Sequence, residues 1–322
     1  MNDLNQEIQN PIEIHGEQHN IKHLVISGGG AFFYKAYGIL KSSSLKKCWD
    51  FKNLKTIYGT SCGAILSYII ALNFDWEILD NFLINRPWDK IFDINMNTMF
   101  NSIQNCGILG VSTIEQTFEP LLKAKNMNLN ITLNEFYENT GIEIHSFATN
   151  LNNFELIDIS YKTHSDWKVI ETIYASCCLP VLFSPYEKEN NIYLDGGIFC
   201  NYPLKYCICQ TNCSPNEIFG INSVVKTTSL GFSIENSSLF EYILYILILM
   251  LVTIRIKYTN NEMTIPLEIK VIDNMKNSPL YSIYQCTLFI DIRTKMISSG
   301  EEIFENYFNE NRSLLQPYIT EI

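Results

Sequence analysis

The chain is poor in charge, and poorer still in positive charge. Only 18% of its residues are charged, and 23 Lys and Arg face 34 Asp and Glu, a net charge of −11. A surface of that sign repels phosphate backbones, so charge-driven binding of nucleic acid is excluded as a partner class. The opening MNDLNQEIQNPIEIHGEQHN lacks the basic start and apolar run of a secretory signal. The expectation is a cytoplasmic, unsecreted protein, with peripheral contact at membranes left open. Histidine is scarce at 5, and the 10 cysteines include no CxxC pair. Cys207-x-Cys209-x3-Cys213 is the one cluster; with no further ligand group near it in sequence it reads as small buried residues, and neither metal nor cofactor is expected. What the chain has in plenty is apolar sequence, 47% of 322 residues, enough to fill one large core or two modest ones.

The longest apolar run is short. Tyr242 to Ile254, YILYILILMLVTI, lies between Glu241 and Arg255. As a helix it would measure roughly 20 Å against a hydrocarbon layer of ~30 Å, so it reads as a buried helix, with an interfacial helix as the alternative.

Organisation is clearest near the start. Residues 1–20 read as a polar tail. IKHLVIS then has strand character, meets Ser27-Gly28-Gly29-Gly30, and leads into a helical stretch from Ala31. The same grammar follows in LKTIYG, Thr60-Ser61-Cys62-Gly63 and AILSYIIALN. Two strand-turn-helix units in succession predict parallel strands with crossover helices, hence an α/β sheet. Asp75 to Asn85 reads as a helix, 88–134 as a variable cap or insertion, and IEIHSFATNL and FELIDIS as strands around a hairpin-like connection. Asp166 is expected to cap the helix WKVIETIYASCCL. IYLDGG and EIFGINSVV read as further strands, and 226–322 as an extension that carries the apolar helix.

Three turns carry chemistry. Gly59-Thr60-Ser61-Cys62-Gly63 has the G-x-S-x-G spacing that exposes a serine between a strand and a helix. There the helix dipole favours an oxygen acquiring negative charge. Serine needs a base, and every histidine precedes or lies well short of the usual position after the acid. A histidine triad would need His145 or His164 with an acid such as Asp80, Asp89 or Asp93. Asp195, which ends a strand before Gly196-Gly197, is the other candidate base. Gly28-Gly29-Gly30 can aim successive amides at one oxyanion, and the absence of Gly-Lys-Ser/Thr after it excludes a P-loop.

In this order the motifs resemble the patatin-like phospholipase family. SGGG followed after seven residues by Gly38-Ile39-Leu40, the elbow IYGTSCGAI, FATNL, YASCCLPVLFSP and LDGGIFCNYP are all similar to family segments, over about Lys22 to Val224. The resemblance implies a three-layer α/β sandwich with a mainly parallel sheet, a catalytic domain over 21–225, and a Ser-Asp dyad without metal. Ser61 would be the nucleophile, Asp195 the general base, and the amides of Gly28, Gly29 and Gly30 the oxyanion hole. The implied substrates are acyl esters of phospholipids, lysophospholipids or related lipids, cleaved through an acyl-enzyme. Acyl transfer, or a catalytically silent scaffold that binds lipid or a partner, are the alternatives. The family's loop usually continues with a variable residue, Lys or Arg, then Gly; here Ala31, Phe32 and Phe33 stand instead.

A patch for membrane contact is also readable: Lys35, Lys41, Lys46, Lys47, Lys52 and Lys55 lie near Phe32, Phe33, Tyr34 and Trp49. A solvated helix face is the commoner explanation of such lysines. Head group, chain length and oligomeric state leave no trace in the sequence.

Overall fold

The computed structural model describes residues 19–225, 235, 239–258, 263–273 and 279–319. Of the polar tail only His19 and Asn20 fall within this range. His19 is docked, its amide donating to the Pro317 carbonyl at 2.7 Å.

The two predicted strand-turn-helix units form side by side. Strand β1 (His23–Ile26) is wholly buried and leads to helix α1 (Phe32–Leu45). Strand β2 (Thr56–Thr60) leads to α2 (Cys62–Ala71). The strands are parallel, with Ile26 opposite Gly59, so their following turns leave the sheet at one edge. Next comes α3 (Trp76–Asn85), beginning one residue after the expected Asp75, whose side chain makes no capping bond.

The segment 88–134, expected from its sequence to be a variable cap or insertion, is more ordered than its composition promises. It holds α4 (Trp88–Ile91), α5 (Met96–Asn105), β3 (Gly107–Leu109) and α6 (Val111–Ala124), and α7 (Leu133–Thr140) follows from its end. Local polar chemistry starts two of these: Asn95 with Thr98, and Thr132 with Glu135, form reciprocal capping boxes.

Strands β4 (Glu143–Asn150) and β5 (Glu155–Ile159) form the expected antiparallel hairpin. Helix α8 (Val169–Cys177) starts two residues later than the sequence suggests. Lys168 is held in an antiparallel bridge to Thr132, which keeps the chain extended to that point, and Asp166 accepts from Ser165 Oγ rather than capping. Strands β6 (Val181–Phe183), β7 (Tyr186–Lys188) and β8 (Asn191–Asp195) precede α9 (Leu204–Thr211) and β9 (Ile218–Val225). The chain continues through α10 (Leu239–Tyr258), β10 (Leu267–Asp273), α11 (Pro279–Leu288), α12 (Ile290–Glu310) and α13 (Arg312–Leu315).

The main sheet pairs in the order β10-β9-β1-β2-β4-β8-β7, with β5 also on β4, while β3 and β6 form a separate pair. From β10 to β4 every pairing is parallel; β5, β7 and β8 are antiparallel to their neighbours. The result is an α/β fold with a central, mainly parallel sheet between helices. The C-terminal stretch is built into it, because β10 extends the sheet edge. Helix α12 packs on α1 where both carry glycine: a Cβ on Gly38 would stand 2.2 Å from the Ile297 carbonyl oxygen, and one on Gly300 would stand 2.1 Å from that of Lys35.

Two sequence expectations about surfaces change. Phe32, Tyr34 and Trp49 are core residues, not a docking patch. Lys41 pairs with Asp80 and Glu301, and Lys46 with Glu305. The aromatic residues alternate with lysines in sequence, but the helix turns the rings inward. The apolar helix α10 is not buried as expected: Leu239, Ile243, Ile246 and Met250 are exposed along it. No helix among the described residues is long and apolar enough to cross a membrane.

Candidate active site

Ser61 sits where β2 gives way to α2, half-buried, with φ 54° and ψ −123°. A positive φ on a residue with a side chain is strained, and such strain persists where neighbours hold it. Here the Ser61 amide donates to Ser176 Oγ at 3.0 Å, and Ser176 Oγ donates to the Phe147 carbonyl at 2.7 Å. Helix α8 thus clamps the elbow to β4.

The registers show how Asp195 arrives. β4 pairs through Ser146 and Phe147 with both β2 and β5, and through Ala148 to Asn150 with both β5 and β8. A strand has two edges, so β5 occupies one and β2 and β8 share the other, end to end. β2 finishes with Thr60 opposite Phe147, and β8, running the other way, finishes with Asp195 opposite Ala148. The chain reversals at Ser61 and Asp195 therefore occur at the same level on the same edge of β4. Asp195 is buried, and its Oδ1 accepts the Gly197 amide at 2.6 Å.

The glycine loop closes on this junction. A Cβ on Gly28 would lie 2.6 Å from Asn201 Oδ1 and 3.1 Å from Ser61 Cβ, so only glycine fits without displacing the elbow. Asn201 straps the loop: its Nδ2 donates to the Gly28 carbonyl at 3.1 Å, and its own carbonyl accepts the Gly28 amide at 3.0 Å. Thr60 Oγ1 reaches the adjacent Cys200 carbonyl at 2.9 Å. The Gly28 amide, one of the three expected as oxyanion donors, is thus engaged by the Asn201 carbonyl. Gly30 has φ +58°, and the exchange of the family's Lys-Gly for Phe32-Phe33 leaves α1 starting at Phe32 with that ring in the core.

Two cysteines flank the serine. Burial pushes the Cys62 thiol up to about 12, the Asp195 charge adds to this, and hydrogen bonds from the Gly29, Gly30 and Phe33 amides pull the other way. Cys177 is raised by burial and then by Asp195, opposed by a hydrogen bond with the Ser61 side chain. Both thiols are thus held protonated and respond to the same carboxylate. Sequence reasoning missed the parts of Cys62, Ser176 and Cys177, although all three stand in the elbow and YASCC segments; Asn201 was noted only as part of a motif.

Ser61 opens onto an apolar cavity of about 140 Å³. Its walls come from distant parts of the chain: Ile65 and Ile69 of α2, Trp88 of α4, Ile114 of α6, and Ile283 of α11. An aliphatic chain would fill it.

His145 and His164, the histidines expected for a triad, are engaged elsewhere. His145 places Nδ1 on Asp158 and Nε2 on Glu143, each at 2.9 Å, and stacks on Tyr58 at 4.2 Å, so both nitrogens are engaged away from Ser61. His164 Nδ1 pairs with Thr163, and Asp80 serves Tyr37 and Lys41. At the amino-terminal end of β1, ligand atoms of His23, Cys213 and Glu217 lie within 4.8 Å of one another and could hold a divalent cation. In the structure, His23 Nδ1 contacts Thr56 Oγ1 at 2.7 Å and Glu217 pairs with Lys22. Burial lowers the His23 imidazole to about 4, and the hydrogen bond with Cys207 lowers the Cys213 thiol to about 6.

A mainly parallel sheet with a serine lifted on a strand-to-helix turn puts the chain in the nucleophile-elbow class of α/β proteins. Within that class it belongs to the patatin-like phospholipase family, whose sequence model, "Patatin-like phospholipase", matches residues 24–208. It is 25% identical over 194 residues to "Probable lipid hydrolase 463L" of Invertebrate iridescent virus 6, covering 59% of this chain and 64% of that one. It is 26% identical over 185 residues to "Uncharacterized protein R571" of Acanthamoeba polyphaga mimivirus, covering 57% and 60%. The matches thus span less than two thirds of either relative. Among solved structures it is similar to VipD from Legionella pneumophila, with a TM-score of 0.52 at 16% identity over 92% of this chain and 67% of that one.

Proposed function

We propose that the protein hydrolyses acyl esters of lipids, with phospholipids and lysophospholipids as the leading substrates, through an acyl-enzyme on Ser61. Ser61 Oγ attacks the ester carbonyl carbon while its proton passes to Asp195, which acts as general base. The amides of Gly29 and Gly30 stabilise the oxyanion of the tetrahedral intermediate. Collapse breaks the bond to the leaving alcohol, which takes the proton from Asp195. Water, deprotonated by the same carboxylate, then attacks the acyl-enzyme, and its collapse frees the fatty acid and returns a proton to Ser61. The observation that supports this most is the meeting of the β2 and β8 ends at one level of β4, beside an apolar cavity. The name of the iridescent virus relative points the same way.

One observation favours a second reading, a silent lipid-binding scaffold: the apolar helix α10 exposes Leu239, Ile243, Ile246 and Met250. A panel of lipid esters assayed with wild type and Ser61→Ala separates the two. Wild type is expected to release fatty acid from at least one class, with a loss of at least ~1,000-fold in the variant. Equal rates in both proteins would remove Ser61 as nucleophile, and no release from any class would favour the silent scaffold.

A further inference from the structure

We infer that the turn joining α11 to α12, Leu288-Phe289-Ile290, is a wedge that seats the cavity on a zwitterionic lipid surface. The inference rests on the reading of the cavity as a lipid-ester site.

Helix α11 has two apolar sides. Ile283, Cys286 and Thr287, spaced i, i+3 and i+4, line the cavity that Ser61 opens onto. The next three residues face water: Leu288 is 40% exposed, Phe289 45% and Ile290 52%. Three consecutive exposed apolar side chains oppose the ordinary drive to bury such groups, and they mark a contact surface.

The turn cannot relieve that exposure by folding inward, because Arg293 pins it. This arginine is only 2% exposed. Its Nη1 donates to the carbonyls of Cys286 at 2.7 Å and Thr287 at 3.2 Å, while Nε and Nη2 donate to the Ile84 carbonyl at 3.0 and 2.6 Å. The last carbonyls of α11, which would otherwise turn to water, are thus tied to the end of α3 by one buried guanidinium. Cavity wall and apolar tip are locked into a single rigid piece.

The occupant follows from continuity and charge. The tip prolongs the wall of a cavity suited to an aliphatic chain, so a lipid phase against the tip lies beside the place its acyl chain would enter. A net charge of −11 opposes attraction to anionic lipid. Apolar insertion into a neutral surface is the driving force.

The test is flotation of the full chain with phosphatidylcholine vesicles. Wild type is expected to bind with little dependence on salt. Replacing Leu288, Phe289 and Ile290 together by Ser should weaken binding at least ~10-fold, and slow hydrolysis of vesicle lipid in proportion. Turnover of a monomeric short-chain ester should stay within about twofold. In Phe289→Trp, emission should shift to the blue on vesicle addition and be quenched by brominated lipid. Undiminished binding by the triple variant, binding of anionic vesicles only, an unquenched Trp at 289, or self-association abolished by the same substitutions would each overturn the inference. If the triple variant loses short-chain turnover through misfolding, the Trp variant decides. Failure of wild type to cleave either ester form would instead count against the proposed function, since flotation and quenching read docking without turnover.

Discussion

Two places along β4, three residues apart, pair an acid with a polar partner and serve different ends. At His145 the imidazole lies between Asp158 and Glu143 under the ring of Tyr58, with Lys162 closing the network on Glu143. At the level of Ala148 the end of β8, at Asp195, lies beside the end of β2, and Ser61 just beyond β2 lines an open cavity. The first place has the residue types of a catalytic pair, yet it is sealed and both ring nitrogens are spent on acids. The second has no histidine, and it has the serine proposed as nucleophile, a glycine loop and an adjoining cavity. Access, more than residue type, separates the ion network from the proposed reaction site.

That contrast can be broken in graded steps. Ser61→Ala carries the largest expected effect, the loss of at least ~1,000-fold in lipid-ester turnover already described. Gly28→Ala comes next: the added methyl must push on Asn201 and on Ser61, and a fall of roughly 100-fold in kcat is expected, with KM for a short-chain ester little changed. Asn201→Ala removes one strap on the loop and should cost about 10-fold.

His145→Gln should leave turnover within about threefold and lower stability by roughly 3 kcal/mol, because it breaks a buried ion network. Burial lowers the His145 pKa, and the hydrogen bonds and charges of Asp158 and Glu143 outweigh burial to leave it raised above 6.5. A raised folded value means that this stability is complete below pH 6.5 and fades as pH climbs through the folded pKa. Wild type should therefore lose melting temperature as pH rises above 6.5 by more than His145→Gln does. Equal slopes in calorimetry, or a large loss of turnover in the variant, would erase the distinction between the two places.

Local signals were legible in the sequence. The glycine turn after β1, the elbow after β2 and the Asp-Gly-Gly after β8 are each announced within about six residues by an apolar run meeting small residues. The parallel pairing of β1 and β2 followed from the repeated strand-turn-helix grammar. What stayed hidden depends on partners far along the chain. That β8 meets β2 end to end is a matter of register, which no local pattern encodes. The Gly28 amide is spent on Asn201, 173 residues away along the chain. Lys168 is held extended by Thr132, which displaces the start of α8 beyond Asp166. LEIKVID read only as part of the 226–322 extension, because its pairing with β9 is what makes it a strand of the main sheet. Phe32 and Trp49 looked like a surface patch, but α1 turns Phe32 into the core and Trp49, beyond that helix, is buried against Trp76 with its Nε1 donating to Ser43 Oγ.

The central claim is that the carboxylate of Asp195 activates the hydroxyl of Ser61, and covalent labelling reads this without choosing a lipid. A fluorophosphonate should add once to wild type, on the peptide carrying Ser61, and at least ~100-fold more slowly to Asp195→Asn with its fold intact. Labelling of the folded Asn variant at the wild-type rate, or of wild type at another residue, would contradict the account.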